Sequence, residues 1–477
     1  MFIHNFKYEL KILLRSKWLL LLFFTMLTII LFAGYNGKQK VDKRFSDIEK
    51  AYSAVKKKDS KMLKVLDSLE KGFETSVRSW AKPTRPMHIG YSFPRVAAMP
   101  PQALTFISTG QSDLFTHYVQ PKAYGDSFLF NYAELSNPIQ LLFGSFDLSF
   151  VIIYILPLIV IAFSYNIFSS EKESGSLKLL ASQPVSMFTW VLQKIGLRFL
   201  WLTLITLVIL TITFVINEFD FSTNFIAYIN TLLLVIAYIL FWFVVVLFIN
   251  IFINNSAKNA VSLLAVWVFI ILIIPAIIGQ LSNVFYPIPS RSKLISEVRE
   301  LKDKVSKKQD KILDNYLRDH PEYASNDSSK NYSFWHKYMA SQDLVEDELK
   351  PLITSYDVQL EQQQRWIQRW QYSSPAIILQ EAFNNLAGTS TLHYQNYRKQ
   401  TSSFAKEWRN FFVPLLYKNE KFSTNLYSKL PSFEYKAPKS FSILIKLISL
   451  CLFSLFFISI AWINFKNKLK KGTLISN

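Results

Sequence analysis

Six stretches of this chain are apolar over the length that a helix needs to cross a bilayer. They are Trp18–Tyr35, Leu148–Ser169, Phe199–Ile216, Phe225–Ile253, Ala260–Leu281 and Phe441–Asn464. About 20 apolar residues at about 1.5 Å each cover the ~30 Å of hydrocarbon. The second to fifth runs hold no Asp, Glu, Lys or Arg, and the sixth holds only Lys446 near one end. A lysine there is expected to snorkel to the headgroups. The fourth run has 29 residues, so it must tilt or project beyond the lipid. None alternates polar and apolar with period two, so helices are expected and a β-barrel is not. The first run follows a basic N-terminus, as a signal peptide would. Ala33-Gly34-Tyr35-Asn36 is a poor cleavage site, so an uncleaved helix is expected.

Composition agrees. Hydrophobic residues make up 51% of the chain and charged residues 18%, against about 25% charged in soluble domains. A disordered or acidic protein is excluded, and a plain soluble enzyme is not expected. The single Cys451 leaves no intrachain disulfide and no Cys-rich zinc site.

Lysine and arginine in the short connections set the orientation. Residues 1–17, 170–198 and 465–477 carry four each and residues 254–259 carry one, whereas Asn217–Asn224 carries none, with Glu218 and Asp220 instead. Both termini are therefore expected in the cytoplasm. The basic balance of +19 is largely topological and calls for no nucleic acid. Two long stretches, 36–146 and 282–440, then lie outside. The first opens with a lysine-rich, helix-favouring run, Val41–Trp80, stopped at Lys82-Pro83, and continues as loops with short helices. The second contains a charged run, Arg291–Arg318, ended by His320-Pro321, and an amphipathic stretch, Phe334–Gln371. Together they are expected to form an antiparallel helical hairpin standing off the membrane. At the N-terminus His4, Lys7, Lys11 and Arg15 recur every three or four residues, the pattern of a helix lying in the interface with its cations on anionic lipid.

Motifs that carry chemistry are missing. The sequence has no Gly-x-x-x-x-Gly-Lys-Ser/Thr loop, no Gly-x-Gly-x-x-Gly, no His-x-x-x-His and no Gly-x-Ser-x-Gly. His117 beside Asp113 is the one modest metal or base suggestion. Ion-coupled carriers usually need ionisable groups near the midplane; the second to fifth runs have none, so energy for any transport should come from elsewhere.

Directly after the second run stands Ser170-Glu171-Lys172-Glu173-Ser174-Gly175-Ser176-Leu177-Lys178-Leu179-Leu180-Ala181-Ser182-Gln183-Pro184-Val185-Ser186. It reads as a short amphipathic helix between Gly175 and Pro184, N-capped by Ser176. A helix this short needs another surface to hold it, which a cytoplasmic partner could supply. The segment resembles the coupling motif of ABC transporter permeases of the type 2 exporter family, Glu-Arg-Glu-x-Gly-Thr-Leu … Leu-x-x-Pro-Val-Ser, with Lys172 for Arg and Ser176 for Thr. Phe6-x-x-Glu9-Leu10-x-x-x-x-Arg15-Ser16 resembles the family's elbow helix, and Trp267-Val268 with Pro275 its fifth helix. Gly110-Gln111-Ser112-Asp113-Leu114, Tyr286-Pro287-Ile288-Pro289-Ser290-Arg291 and Ser374-Pro375-Ala376 with Ala387-Gly388-Thr389 resemble a branch with two enlarged extracytoplasmic insertions of unknown function.

The resemblance implies an all-α integral membrane permease with six transmembrane helices and two mainly helical extracytoplasmic domains. Its layout is an elbow helix (1–17), a span (18–35), an outside domain (36–146), a span (148–169), a coupling segment (170–198), spans at 199–216, 225–253 and 260–281, a second outside domain (282–440), a last span (441–464) and a tail (465–477). It implies no catalysis in this chain. Two copies of a separate cytoplasmic ATPase would bind ATP and Mg, contacting Glu171, Glu173, Gly175, Ser176, Leu177, Leu180 and Pro184, and the permease would dimerise with itself or a similar chain. A bacterial inner membrane, contact with membrane lipid and export follow as expectations, with a periplasmic or outer-membrane partner left open. Met and Cys, at 7 and 1, are too sparse for a soft-metal relay. The alternative is an envelope scaffold that docks a partner through its outside domains. In a Cys451→Ser background, a cysteine at Ser174 should react with an impermeant maleimide only after permeabilisation, and one at Asp220 in intact cells; reaction of both in intact cells contradicts the orientation.

Overall fold

The computed structural model describes residues 7, 11, 15, 17–110, 116–125, 145–176, 187–288, 291–324, 332–438 and 443–470. Among these, six helices are long and apolar enough to cross a membrane, and β-structure is limited to one two-residue ladder pairing Ala97 with Val119 and Ala98 with Tyr118. The architecture is all-α. We number α1 Lys17–Glu70, α2 Pro86–Ser92, α3 Leu148–Glu173, interrupted at 165–168, α4 Met187–Ile216, α5 Phe221–Phe252 and α6 Ser256–Phe285. Then follow α7 Arg291–Ser306, α8 Gln309–Asp319, α9 Phe334–Trp370, α10 Pro375–Leu386, α11 Thr391–Tyr417 and α12 Ile443–Lys470. Of the expected elbow helix only Lys7, Lys11, Arg15 and Lys17 are described; all four are helical and exposed.

The first span and the lysine-rich run are one helix of 54 residues, about 80 Å long. Gly34 and Gly37 lie inside it, and each buys close approach. A Cβ at Gly34 would fall 2.2 Å from Thr213 Cγ2, and at Gly37 2.0 Å from the Phe106 carbonyl oxygen. The helix stops at Glu70 rather than the expected Trp80. Gly72 takes φ +82°, Phe73 N–H donates to Ser68 O (2.9 Å) and Gly72 N–H to Leu69 O (3.2 Å), a left-handed glycine cap. The later residues Ser79–Ala81 make only a 3-10 turn.

The membrane core is organised around α5, which packs against α3, α4, α6, α10 and α12. Tyr238, Phe241 and Trp242 are fully enclosed. Of the apolar window of α5 67% is buried, against 17% for α12, so α5 is the axis and α12 the periphery. Asp220 caps α5, accepting from Ser222 N (2.9 Å), Ser222 Oγ (2.6 Å) and Thr223 Oγ1 (2.6 Å). Those donors, the Ser222 hydroxyl foremost, hold its carboxyl down at about 2.

Two spanning helices widen into π turns, Val151–Ile155 in α3 and Val268–Ile273 in α6, each followed closely by a proline, Pro157 or Pro275. Proline brings no N–H and leaves a carbonyl one turn back without its donor. Side chains answer. Tyr238 OH donates to Ile153 O (3.0 Å), Trp267 Nε1 to Tyr154 O (3.1 Å) and Ser374 Oγ to Ile270 O (2.7 Å).

A second core lies beyond the spans. Trp408, Phe412 and Tyr417 of α11 pack with Met62 and Leu66 of α1 and Ile89 of α2, so α1 serves both cores. Buried Asp59 pairs with Arg95 and accepts from Tyr427 OH (2.9 Å). The helices α7 and α8 pack on α9, through Val298, Val305, Val345 and Leu349 in the case of α7. The far end of α9 does not stand off, however. Trp366 Nε1 donates to Ile278 O (3.3 Å) in the last turns of α6 and Gln363 Nε2 to Tyr286 O (2.7 Å) just past its end. After a 3-10 turn, Gln371–Ser373, α10 returns inside the bundle, with Ile378, Leu379 and Phe383 in the same core as α3 and α5. Lys446 does not snorkel. Its ammonium is buried, donates to Gln371 Oε1 and lies 5.6 Å from the Tyr372 ring centre. Gly37→Ala is expected to cost about 1–3 kcal/mol of stability through overpacking, read as a lower unfolding temperature in detergent, while Gly196→Ala, which meets no atom within 4 Å, should leave it unchanged or slightly raised.

Candidate functional site

The chain emerging from α3 turns back at Gly175, whose φ of +75° is costly for any residue with a Cβ. Nothing lies within 4 Å of where that Cβ would be; the glycine is demanded by the backbone alone. The turn is built on Ser169–Glu173, closed by Ser174 N–H to Ser170 O (3.0 Å) and Gly175 N–H to Lys172 O (3.1 Å). Serine hydroxyls tighten it. Ser176 Oγ donates to the Glu171 backbone oxygen (3.1 Å) and to its carboxylate, and lies 2.9 Å from Ser174 Oγ.

The two glutamates face different helices. Glu171 turns inward and accepts from Lys194 Nζ of α4 (2.6 Å), a lysine 7% exposed whose ammonium also lies 5.0 Å from the Trp190 ring centre. Glu173 is exposed and reaches the first residue of α6, accepting from Ser256 N–H (2.7 Å) and Ser256 Oγ (2.8 Å). A carboxylate on the unpaired N–H groups and positive dipole end of a helix is favourably placed. The Ser256 hydroxyl, spent on Glu173, receives that of Ser169 (2.8 Å), and Ser169 receives the Asn259 amide (3.2 Å). Asn259 also donates to Asn250 Oδ1 (3.2 Å), which accepts Phe168 N–H (3.3 Å). A directed chain of donors thus runs from buried Asn259 out to Glu173. Lys468 of α12 closes the same end, its ammonium on the terminal carbonyls of α5, Ile251 O (2.8 Å) and Phe252 O (3.1 Å), where a cation suits a helix C-terminus.

Of the seven residues singled out from sequence, Glu171, Glu173, Gly175 and Ser176 come together in this turn. Leu177, Leu180 and Pro184 lie outside the described residues, as does the short helix expected there. Sequence reasoning missed Ser256, Asn259, Asn250 and Lys194. The one available signal was Asn254-Asn255-Ser256, a polar break that reads as a helix cap: Asn255 Oδ1 does accept Lys258 N–H (3.0 Å).

Among the described residues no group of three or more His, Cys, Asp or Glu converges as metal ligands would. Asp113, the suggested companion of His117, is outside them. Burial, helped by the nearby Arg44 cation, holds the His117 imidazole well below its usual range. The turn presents an exposed face fastened to α4 on one side and α6 on the other.

Residues 126–276 match the family model described as ABC-2 family transporter protein, and residues 291–436 match a domain of unknown function, DUF3526. No curated protein and no solved structure matches the chain. The first match ends inside α6 and contains the turn at Gly175; the second covers α7 to α11. The chain is therefore a multi-pass membrane protein that is similar to ABC-2 family transporter proteins over residues 126–276 and carries a DUF3526 match between its fifth and sixth spanning helices.

Proposed function

We propose that this protein is the permease of an ABC exporter, driven by two copies of a separate cytoplasmic ATPase that grips the Glu171–Ser176 turn. The observation that carries the proposal is the double fastening of that turn: Glu171 to Lys194 of α4 and Glu173 to Ser256 of α6. A push on an exposed loop tied to two spanning helices is delivered to both. A loop anchored by neither would absorb it.

In this reading the turn and both chain termini lie in the cytoplasm of a bacterial cell, and the domains built on α1 and α7–α11 lie outside the inner membrane. ATP and Mg belong to the ATPase, and a second copy of this chain or a similar permease completes the pathway. The full contact with the ATPase comprises Glu171, Glu173, Gly175, Ser176, Leu177, Leu180 and Pro184. Membrane lipid surrounds the spans, and the outside domains are the surface offered to any periplasmic or outer-membrane partner.

Co-purification in detergent tests the assignment. Glu173→Arg sets a cation against the α6 N-terminus, and Gly175→Val strains only the turn. Each should lower the amount of co-purifying ATPase, or its stimulated hydrolysis, by roughly tenfold, a usual size for a coupling interaction, while the unfolding temperature of the permease stays close to that of the parent. A nucleotide-binding partner retained by both variants at parental levels contradicts the assignment. A periplasmic partner recovered with no ATPase at all favours a scaffold instead.

A further inference from the structure

The helix α6 is held at three heights by three different parts of the chain. At its first residue Ser256 is gripped by Glu173 of the turn (2.7 and 2.8 Å). Midway, the π turn Val268–Ile273 offers the Ile270 carbonyl, which accepts from Ser374 Oγ (2.7 Å). Higher up, Trp366 and Gln363 of α9 hold the Ile278 and Tyr286 carbonyls. Ser374 is fully buried and is also the N-cap of α10, accepting from Ala376 N–H (3.2 Å). The other end of α10 is fixed to the first outer region. Ser108 Oγ donates to Asn384 Oδ1 (2.6 Å), Thr389 Oγ1 to Ser108 O (2.9 Å) and Thr105 Oγ1 to Ala387 O (2.9 Å). The same strand of chain holds the start of α3, since Thr109 N–H donates to Asp147 Oδ2 (2.8 Å) and Asp147 caps α3.

A π turn carries one residue more than an α turn in the same stretch. Relaxing it to α geometry rotates the helix beyond it by about 100° per residue and shifts it by about 1.5 Å. The π turn of α6 carries the middle attachment, at Ile270, and lies between the other two. It is also tied to the π turn of α3 through Trp267 Nε1 on Tyr154 O (3.1 Å).

We propose that α6 is the transmission element between the Glu173 turn and the helices α9 and α10, with the π turn at Val268–Ile273 as its movable joint and Ser374 as the positioning residue that couples the joint to α10 and the first outer region. Movement at the turn then reaches α9 and α10, and a load on the outer domains reaches the turn by the same route, as linkage requires. The identity of what pushes on the turn rests on the proposed function. The linkage does not, and its test needs no ATPase.

Hydrogen–deuterium exchange of the full chain in lipid nanodiscs, read by mass spectrometry, tests it in both directions. Ser374→Ala should raise exchange at its own contact and also at 256–260 and 171–176. Glu173→Gln should raise exchange at 256–260 and also at 268–274 and 374–379. Remote increases between about twofold and about thirtyfold are expected for coupling of ordinary size, with 200–212 of α4 unchanged. Ser374→Thr, which keeps a hydroxyl, should return the remote segments to parental exchange, separating lost coupling from general loosening. Increases confined to the mutated contact in both variants overturn the proposal, whether or not an ATPase is found to bind.

Discussion

A backbone carbonyl inside hydrocarbon has no water to turn to, and leaving it without a donor costs several kcal/mol. That constraint is met twice in this protein by reaching across helices. Pro157 and Pro275 withhold their N–H groups, the turns before them widen, Tyr238 and Ser374 donate to the Ile153 and Ile270 carbonyls, and Trp267 adds a donor to Tyr154 O. Each donor belongs to a different element from the carbonyl it serves. The repair therefore also fixes where α3, α5, α6 and α10 stand relative to one another, and the helix returning from the outer domain is as much a part of the bundle as the spans themselves.

At the opposite end of the bundle the currency is charge and capping. The Glu173 carboxylate sits on the α6 N-terminus, the Lys468 ammonium on the α5 C-terminus and the Lys194 ammonium on Glu171. Each charge lies where a helix end or an opposite charge favours it. The short basic segments from which an orientation is expected thus contain residues with a second use: Lys194 and Lys468 are counted in that bias and also lock helices together.

The spans were legible because an uncharged run of about 20 residues has few other uses, and the turn because its segment resembles a family coupling motif. Three features were not legible, each for a physical reason. The stop of α1 at Glu70 depends on Gly72 adopting positive φ, while the lysine-rich composition beyond it is equally compatible with more helix. The depth of α10 could not be read because twelve residues containing Glu381 are too few and too polar to suggest a place among spans; its partners come from four other helices. Lys446 has the sequence context of a snorkelling lysine, and its inward partners Gln371 and Tyr372, together with the charge of Glu381, come from distant parts of the chain. Likewise Glu173 announced itself while its partner Ser256, 83 positions away, did not.

The uninterrupted course of α1 has a geometric consequence. Because no hinge separates its lipid-embedded part from its distal half, the helix behaves as a lever with its fulcrum near Gly34 and Gly37, where it touches Thr213 and Phe106. With an arm of about 50 Å beyond that pivot, a tilt of a few degrees within the bilayer sweeps the tip near Gly72 through several ångströms, carrying Met62, Leu66 and the aromatic cluster they support along the same arc.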